Sequence, residues 1–450
     1  MELFNKVSGN PTRFSSGMKA NRKIGRYKSL KVYINKGTVM ELTKAYKFRI
    51  YPDAKRQSEI ELQLTLSKEF YNLLLEKSIK SYKEGNNKLS MQILNRFAKE
   101  IENDKKYLKI YSQTRCEIKY RVLKAYQNFF RRAKEKKSGK KVKVGFPRFK
   151  SKDRYRSITY PQDNGSFAII KKNKKQMLRV SRIGSMQIEL HRVIEDKIKT
   201  LTIKKDAGKY YAIFTTISKE DISKLEDTNP IGIDMGLHSF IATSEGMKIE
   251  KPKFIKKAEK HISRLQRIIA KRQKGSKRRE KAKLNLQRKW EHVANQSNDF
   301  AHKLSYKLVN SVYTSFAIED LHIKNMVKNH NLAQSIQNAS WKRFINMLSY
   351  KAESAGMKVI KVDPRNTSKK CSNCGNIQDM PLGIREYNCS RCGMQMDRNI
   401  NASINILHRA TTLGQRGSHA QGESVRPQRG AVLEELRTDK THPLRDAVIT

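Results

Sequence analysis

The sequence is short of acidic side chains, and that shortage limits what the protein can bind. Its 450 residues hold 42 Asp and Glu against 95 Lys and Arg, which gives a formal net charge of +53. A compact fold with so much charge of one sign repels itself, so we expect an acidic partner to offset it. Nucleic acid is the usual partner of this kind, because each neutralised phosphate releases a counterion.

Long apolar runs and a secretory cysteine pattern are also missing. The mean hydropathy is −0.74, and no run approaches the roughly 18 apolar residues of a membrane-spanning helix. The first 39 residues lack the apolar stretch of a signal peptide. The five cysteines are an odd number without secretory context, which favours a reduced, cytoplasmic compartment. Hydrophobic residues still make up 37%, so a wholly disordered chain is excluded.

Four of the cysteines form two Cys-x-x-Cys pairs that are separated by fourteen residues. The pairs are Cys371 with Cys374 and Cys389 with Cys392, and a glycine follows each pair, where a metal-binding knuckle turns. Four thiolates select Zn²⁺ and leave no open position, so we predict one structural zinc. The alternatives are two disulfides or unrelated thiols. The fifth cysteine, Cys116, is expected to be a small buried apolar side chain.

Three acidic residues lie where predicted strands end or a predicted helix begins. Asp234 interrupts the apolar run 231–236, Glu319 ends the run 316–319, and Asp397 precedes a helical segment. A carboxylate in such a run costs desolvation unless it is paired or binds metal. Singly, each could be a turn, strand-end or helix-capping residue. Together they can hold two Mg²⁺ about 4 Å apart, the arrangement that hydrolyses phosphodiesters.

Three polar neighbours of these acids receive secondary roles. Asp320 follows Glu319 and is expected to point to the opposite face of the strand. His238 and His322 lie near the acids in sequence, where either could touch a phosphate. A lone histidine is more often structural, so neither is taken as a site residue.

Hydrophobic periodicity predicts a β-domain with a helical insert. Residues 45–51 alternate as a strand, 54–136 follow a helical pattern, and 141–217 return to strand patterns with a hairpin turn at 206–209. We expect the early strand to pair with the later block. Beyond a polar linker at 221–229, the pattern predicts a strand, a turn at Gly236 and a second strand within 230–246, then a strand at 315–320, a helix at 341–355 and a strand at 357–362.

Basic side chains concentrate in two places. Residues 251–290 hold 17 Lys and Arg with only two acids, and their apolar positions recur at helical spacing. This pattern favours a helix that lies against a phosphate backbone, with a solvated face as the alternative. The β-rich block mixes basic and aromatic residues in the same way. The predicted nucleic-acid contacts are Arg148, Lys150, Lys277, Arg278 and Arg279.

Nine segments together resemble the TnpB or OrfB family of transposon-encoded, RNA-guided DNA endonucleases, whose relatives are the miniature type V CRISPR nucleases. The resemblance runs from about residue 45 to beyond 425. The segments are AYKFRIYP, KVGFPRFKSK, YRSITYPQ, DAGKYYA, IGIDMG, FAIEDL, CSNCG, YNCSRCG and DRNINASINI. Their order and spacing agree with the family as well as their content.

The resemblance implies a multidomain fold that mixes α/β and β architecture. A split β-barrel wedge domain would carry a helical recognition insert, and an RNase H-like RuvC nuclease domain would carry an inserted four-cysteine zinc ribbon. The implied boundaries are a basic extension at 1–40, the wedge at 41–52 and 141–228, the recognition insert at 53–140, RuvC at 229–368, the ribbon at 369–395, the last RuvC motif at 396–410 and a flexible tail at 411–450.

The same resemblance implies an activity. Asp234, Glu319 and Asp397 would be the catalytic carboxylates of an Mg²⁺-dependent endonuclease that supports transposon maintenance. A guide RNA from the transposon end would select double-stranded DNA beside a short flanking motif, without a membrane or a small-molecule substrate. We expect a prokaryotic cytoplasmic protein that joins the nucleoid when bound to DNA.

Two departures from the family pattern stand out. Asn399 occupies a position where the family often has Asp, and Met40 is an alternative start. Two other functions stay open. One is a catalytically silent zinc-ribbon regulator that binds nucleic acid, and the other is a transposase that acts directly on transposon ends.

Overall fold

The computed structural model describes residues 38–85, 89–172, 175–222, 225–237, 239–321, 326, 340–381 and 383–415. The expectations for the extension before residue 38, for the tail after 415 and for His238 and His322 lie outside these residues. Within the described ranges, no helix is both long and apolar enough to cross a membrane.

The N-terminal half is built on an antiparallel sheet. Its strands are β1 (Thr38–Tyr51), β2 (Ser157–Tyr160), β3 (Phe167–Lys172), β4 (Lys175–Val180), β5 (Gly184–Glu189), β6 (Ile198–Asp206) and β7 (Lys209–Ile222). They lie in the order β2-β6-β7-β1-β5-β4-β3, so the described pairings give an open half-barrel sheet. β1 pairs with β7 and β5, which confirms that the early strand joins the later block.

β1 begins earlier than the predicted start at residue 45. Its first residue, Thr38, is in register with Ile222, the last residue of β7. The backbone hydrogen bonds between β1 and β7 therefore lengthen both strands. Residues 221 and 222, which were predicted to begin a linker, belong to β7.

Three helices form the predicted insert between β1 and β2. They are α1 (Ala54–Lys83), α2 (Met91–Glu102) and α3 (Ser112–Lys137), and a 3₁₀ turn spans Lys105–Lys109. Asp53 and Ser90 cap α1 and α2 by accepting backbone N–H groups. The buried faces of the helices share one core with the sheet, including Phe48, Phe70 and Tyr126.

The basic segment 140–156 is not the strand that its alternating pattern predicts. Phe146 packs among aromatic rings of α1 and α3, and its ring centroid lies 4.8–5.7 Å from three of theirs. Asn72 of α1 accepts the N–H of Lys150 at 2.8 Å and donates to its carbonyl at 3.0 Å. Arg132 of α3 donates to the Gly145 carbonyl. Side chains of α1 and α3 thus form hydrogen bonds with the backbone N–H and C=O groups that would otherwise pair with a neighbouring strand.

The C-terminal half contains a second sheet and its covering helices. The strands are β8 (Pro230–Asp234), β9 (Ser239–Thr243), β10 (Lys248–Glu250), β11 (Ser315–Glu319) and β12 (Lys358–Val362), in the order β10-β9-β8-β11-β12. The helices are α4 (Phe254–Lys271), α5 (Lys277–Val309), α6 (Trp341–Ser354) and α7 (Arg398–Gln415). The strands and the helix predicted in this half are confirmed.

Helices cover both faces of this sheet, and the alternation of side chains decides which residue meets which helix. Ile233 and Ile318 share a core with α5 and α6 on one face. Ala317 packs with Ile406 of α7 on the other face. Asp234 and Glu319 each follow one of those isoleucines, so both point to the α7 side.

The β6–β7 hairpin connects the two halves. Ala207 and Gly208 have φ values of 47° and 75°, which form the tight turn predicted at 206–209. A Cβ on Gly208 would lie 2.9 Å from Leu284 of α5, so the tip rests directly on that helix. Tyr211 donates to Glu291 of α5 at 2.6 Å, which anchors the contact.

Candidate carboxylate and zinc sites

Asp234 and Glu319 end adjacent parallel strands. The register pairs Ile233 with Ile318, so the next residues along the strands are Asp234 and Glu319. Neighbouring strands lie about 4.8 Å apart, which brings the two carboxylates side by side on the α7 face. Asp234 is 9% exposed and Glu319 is 8% exposed. Two nearly buried acids at one strand edge form the centre of the candidate site.

Burial and like charge strongly perturb these acids. Burial is the largest cause that raises the pKa of Asp234 to about 8, and the neighbouring Glu319 adds to it. Arg398 acts in the opposite direction, while Asp397 also raises this pKa. Burial likewise raises the pKa of Glu319, against the lowering effect of a hydrogen bond from Thr367. Without a cation, the site favours a proton on at least one of these acids.

Asp397 lies immediately before α7, at the end of a short strand. Its Oδ1 accepts the N–H groups of Asn399 and Ile400 at 2.9 and 3.3 Å, so it caps the helix as predicted. Its Oδ2 accepts from Lys248 Nζ at 2.6 Å. Burial acts to raise the pKa of Asp397, but Lys248 and the two N–H groups outweigh it and hold the pKa below its usual value.

Lys248 belongs to the same cross-strand row as the two buried acids. It is in register with Ala242, and Ala242 is in register with Asp234. Its ammonium therefore projects along the row toward Asp397. Lys248 was not among the site residues predicted from the sequence, because only the register of three strands reveals its position.

A glycine allows α7 to approach the sheet. A Cβ on Gly232 would lie 2.0 Å from the Ser403 carbonyl oxygen and 3.0 Å from Leu407. No other residue fits at that distance without moving the helix. The glycine in β8 therefore sets how close Asp397 comes to Asp234.

The three carboxylates are more widely spaced than the ligands of a single ion. In the described part of the chain, only the four cysteines form a group of three or more metal-binding side chains whose ligand atoms all lie within 4.8 Å. Ligands shared between two ions about 4 Å apart do not need to meet that limit. A set of carboxylate oxygens is the donor chemistry that Mg²⁺ takes.

Two neighbouring residues lie on different sides of the buried acids' strands, and the sequence predicted a position only for Asp320. Asp320 is exposed and pairs with Lys361 at 3.6 Å, away from the buried acids. The amide nitrogen of Asn399 would lie 3.5 Å from a Cβ on Gly236, so this side chain sits beside the strand turn that follows Asp234.

The four predicted cysteine ligands form one cluster. The sulfurs of Cys371 and Cys392 are 3.7 Å apart, and those of Cys374 and Cys389 are 3.5 Å apart. A disulfide would need about 2.05 Å, whereas a tetrahedron with Zn–S bonds of about 2.3 Å has edges of about 3.8 Å. The distances therefore fit a zinc site. Cys116 is exposed on α3, so the expectation that it is buried was wrong.

The two knuckles repeat the same backbone pattern. Gly375 and Gly393 have φ values of 75° and 70° and donate to the carbonyls of Cys371 and Cys389, each at 3.0 Å. The N–H of Cys392 is the main cause that lowers the pKa of Cys389 to about 6, which favours the metal-binding thiolate. The second knuckle lies between two short paired strands, β13 (Glu386–Asn388) and β14 (Gln395–Asp397).

The five basic candidates lie on different surfaces. Arg148 and Lys150 line a groove of about 830 Å³ between segment 140–156 and the helices α1 and α3. Lys277 and Arg278 are exposed at the start of α5. Arg279 donates to the Ile269 and Arg272 carbonyls at 2.5 and 2.6 Å, so it ties α5 to the end of α4.

Three sequence families match parts of the chain. They are described as "Helix-turn-helix domain" over residues 40–88, "Probable transposase" over 214–330 and "Cas12f1-like, TNB domain" over 341–406. The last match covers α6, the cysteine cluster and Asp397.

Curated relatives match over most of their length. A Streptomyces pristinaespiralis protein named "Putative RNA-guided DNA endonuclease" is 29% identical over 90% of this chain and 98% of its own. The Escherichia coli protein of the same description, InsQ, is 25% identical over 82% of this chain and 92% of its own. The fold is similar to Cas12f1 in a cryo-EM complex with sgRNA and target DNA, with a TM-score of 0.56 at 14% identity over 81% of this chain and 98% of that one.

The sequence matches support a protein of the OrfB transposase class. Within that class, the matches support a TnpB-type protein, and two full-length relatives are named as RNA-guided DNA endonucleases. The cysteine cluster is a zinc-type site.

Proposed function

We propose that this protein is an RNA-guided DNA endonuclease that uses divalent metal ions and a RuvC-type carboxylate site. The observation that carries the proposal is the adjacency of two nearly buried carboxylates at the ends of β8 and β11, with Asp397 near enough to raise the pKa of Asp234. In their ionised form, acids at that depth need a compensating cation. The names of the full-length relatives supply the reaction class.

Each carboxylate has a defined task in the proposed reaction. Asp234, Glu319 and Asp397 would hold two Mg²⁺, which activate a water and stabilise the leaving oxygen of a phosphodiester. Asp234 would bind an ion in its deprotonated form, because burial and Glu319 raise its pKa in the absence of a cation. Asp397 would offer Oδ2, which accepts from Lys248, to an ion, while the helix N–H groups hold its Oδ1.

The remaining parts of the chain support binding rather than cutting. We infer that a guide RNA from the transposon end pairs with double-stranded target DNA beside a short flanking motif, so the protein needs mainly backbone contacts. The open sheet with its helical insert corresponds to the proposed wedge and recognition domains. The second sheet corresponds to RuvC, and the zinc in its ribbon is structural. We place the protein in the prokaryotic cytoplasm.

Cleavage of a guide-matched plasmid tests the proposal. The RNA that copurifies with the full chain is sequenced first, and it supplies the guide. Asp234→Ala should lower the cleavage rate by roughly 100-fold or more while target binding persists, because a metal ligand is lost. Asp320→Ala is the matched control, since it removes an exposed acid one residue beyond Glu319 and should cut normally.

The outcomes separate the competing functions. Equal cutting by Asp234→Ala and the wild type would refute the catalytic assignment. A wild type that binds guide and target but fails to cut with every divalent ion tried would indicate the regulator. Strand transfer at transposon ends without RNA would indicate a directly acting transposase.

The basic surface has its own test. Replacing Lys277 and Arg278 with Ala should weaken nucleic-acid binding and flatten its salt dependence, because phosphate contacts release counterions. Arg279 is left intact, because its bonds to the end of α4 would confound the result. An unchanged salt slope would show that this face only meets solvent.

A further inference from the structure

A short connection touches both carboxylate-bearing elements. Residues 363–370, here called the stem, lead from the end of β12 to the first cysteine of the ribbon. They lie between Glu319 on β11 and the helix α7 that begins after Asp397. No motif in the sequence analysis assigned a role to the stem.

Thr367 of the stem holds Glu319 directly. Its Oγ1 donates to Glu319 Oε1 at 2.5 Å, and Thr367 is only 3% exposed. A hydrogen bond from a buried hydroxyl to a carboxylate fixes the orientation of that carboxylate strongly. The other oxygen of Glu319 is thereby left in a defined position.

Two buried amides on α7 hold the stem in turn. Asn405 donates to the Thr367 carbonyl at 2.9 Å and to the Lys370 carbonyl at 2.7 Å. Asn401 donates to the same Lys370 carbonyl at 2.8 Å and accepts the N–H of Ser372, inside the first knuckle, at 2.9 Å. Asn401 is 0% exposed and Asn405 is 6% exposed. Buried amides with partners of this kind fix local geometry.

The spacing of these residues places them on one stripe of the helix. Asp397, Asn401 and Asn405 recur every four residues, so they lie one above the other along α7. One helix face therefore carries the carboxylate of Asp397 and two amides that hydrogen-bond the stem. Asn401 also bonds the ribbon, and Asn405 bonds Thr367, the residue that orients Glu319. The four-residue spacing of these polar side chains, in a helix that packs on a sheet, was the sequence feature that could have predicted their contacts.

We propose that Thr367 is a positioning residue for Glu319, and that Asn405 couples its position to the folded cysteine ribbon. The affinity of the carboxylate site for divalent ions then depends on the ribbon, although no ribbon residue touches the ions. The inference rests on the proposed function, because it takes Glu319 as a metal ligand.

Mn²⁺ binding to the purified full-length chain tests the coupling without a cleavage assay. Free Mn²⁺ is followed by electron paramagnetic resonance for the wild type, Thr367→Val and Thr367→Ser. Thr367→Val keeps the shape but loses the hydroxyl, and it should weaken Mn²⁺ binding about 10- to 100-fold. Thr367→Ser restores the donor and should bind close to the wild type.

Two further variants separate positioning from general destabilisation. Thr202→Val removes a buried hydroxyl from the other sheet, where Thr202 bonds Thr159 at 2.9 Å, and should leave Mn²⁺ binding unchanged. Asn405→Ala should weaken Mn²⁺ binding in the same direction as Thr367→Val, with the zinc content unchanged.

The failures are distinguishable. If Asp234→Ala abolishes Mn²⁺ binding while Thr367→Val and Asn405→Ala bind like the wild type, the coupling is overturned and the proposed function survives. If Thr367→Ser is as weak as Thr367→Val, the hydroxyl is not the positioning group. If Asp234→Ala leaves Mn²⁺ binding unchanged, both the coupling and the proposed metal site are wrong.

Discussion

The cysteine cluster and the carboxylate site hold their ligands in opposite ways. The cysteines come from two short knuckles whose backbone bonds repeat, so each knuckle carries its own geometry. The carboxylates come from β8, β11 and α7, and only the sheet register and the packing of α7 bring them together. A local site is stabilised by its own turns, whereas a site assembled from distant elements depends on everything between them.

The largest effect should come from breaking the local site. Cys389→Ser removes one of four thiolates, and zinc should fall from about one ion per chain to near zero, because a closed site needs all its ligands. The melting temperature should also fall, since zinc binding contributes folding free energy. Elemental analysis and thermal melts measure both. Cys116→Ser, at an exposed cysteine, is the control, and unchanged zinc in Cys389→Ser would count against the cluster.

A pH dependence should mark the assembled site. The pKa of Asp234 is raised from 3.8 to about 8, so the folded chain binds more protons than the unfolded chain between those values. Its contribution to stability is therefore present at low pH and is lost as the pH rises toward 8. Without added divalent ions, the free energy of unfolding of the wild type should fall by on the order of a few kcal/mol as the pH rises, and Asp234→Asn should abolish that fall.

Denaturant unfolding of both proteins from about pH 4 to 8 measures that difference. Asp320→Asn should follow the wild type, since this acid is exposed and paired. Parallel pH profiles for the wild type and Asp234→Asn would contradict the burial argument.

Replacing the glycine that lies against α7 should have a smaller effect than the two changes above. Gly232→Ala places a methyl group against the Ser403 carbonyl, so α7 must shift, at a cost of about 1–3 kcal/mol. Gly145→Ala is the control, because nothing lies within 4 Å of its Cβ. Chemical denaturation gives both values. Equal stability of the two variants would mean that α7 adapts freely.

The smallest effect should come from a competing cation. Lys248→Met removes the ammonium that occupies Asp397 Oδ2, so the half-saturating Mn²⁺ concentration should fall about three- to tenfold, because like charges oppose each other. Lys361→Met removes the partner of Asp320 and should leave Mn²⁺ binding as it is. Weaker Mn²⁺ binding in Lys248→Met would show that the ammonium helps the site instead.

The sequence predicted the features that local chemistry decides. The knuckles follow from cysteine and glycine spacing, the turn at 206–209 from its residues, and α6 from an apolar stripe that Gly356 ends with a φ of 75°. The capping position of Asp397 was also predictable, because a carboxylate there meets free N–H groups whatever surrounds it.

What the sequence could not supply was decided by distant partners. The basic segment 140–156 alternates like a strand, yet Asn72 and Arg132 of the helices take its backbone groups. Lys248 and Thr367 look like ordinary surface and loop residues until the register and the stem place them beside Asp397 and Glu319. Their roles depend on contacts that no window of sequence contains.

The position of α7 late in the chain has a consequence during synthesis. A ribosome delivers β8 and β11 long before it delivers Asp397, and a growing chain folds its earlier segments first. Until the ribbon and α7 have emerged, Ala317 and Val362 have no cover and the last carboxylate is missing. A translation product that stops inside the ribbon would therefore lack the third carboxylate of the candidate site and would expose an apolar face of the sheet to chaperones.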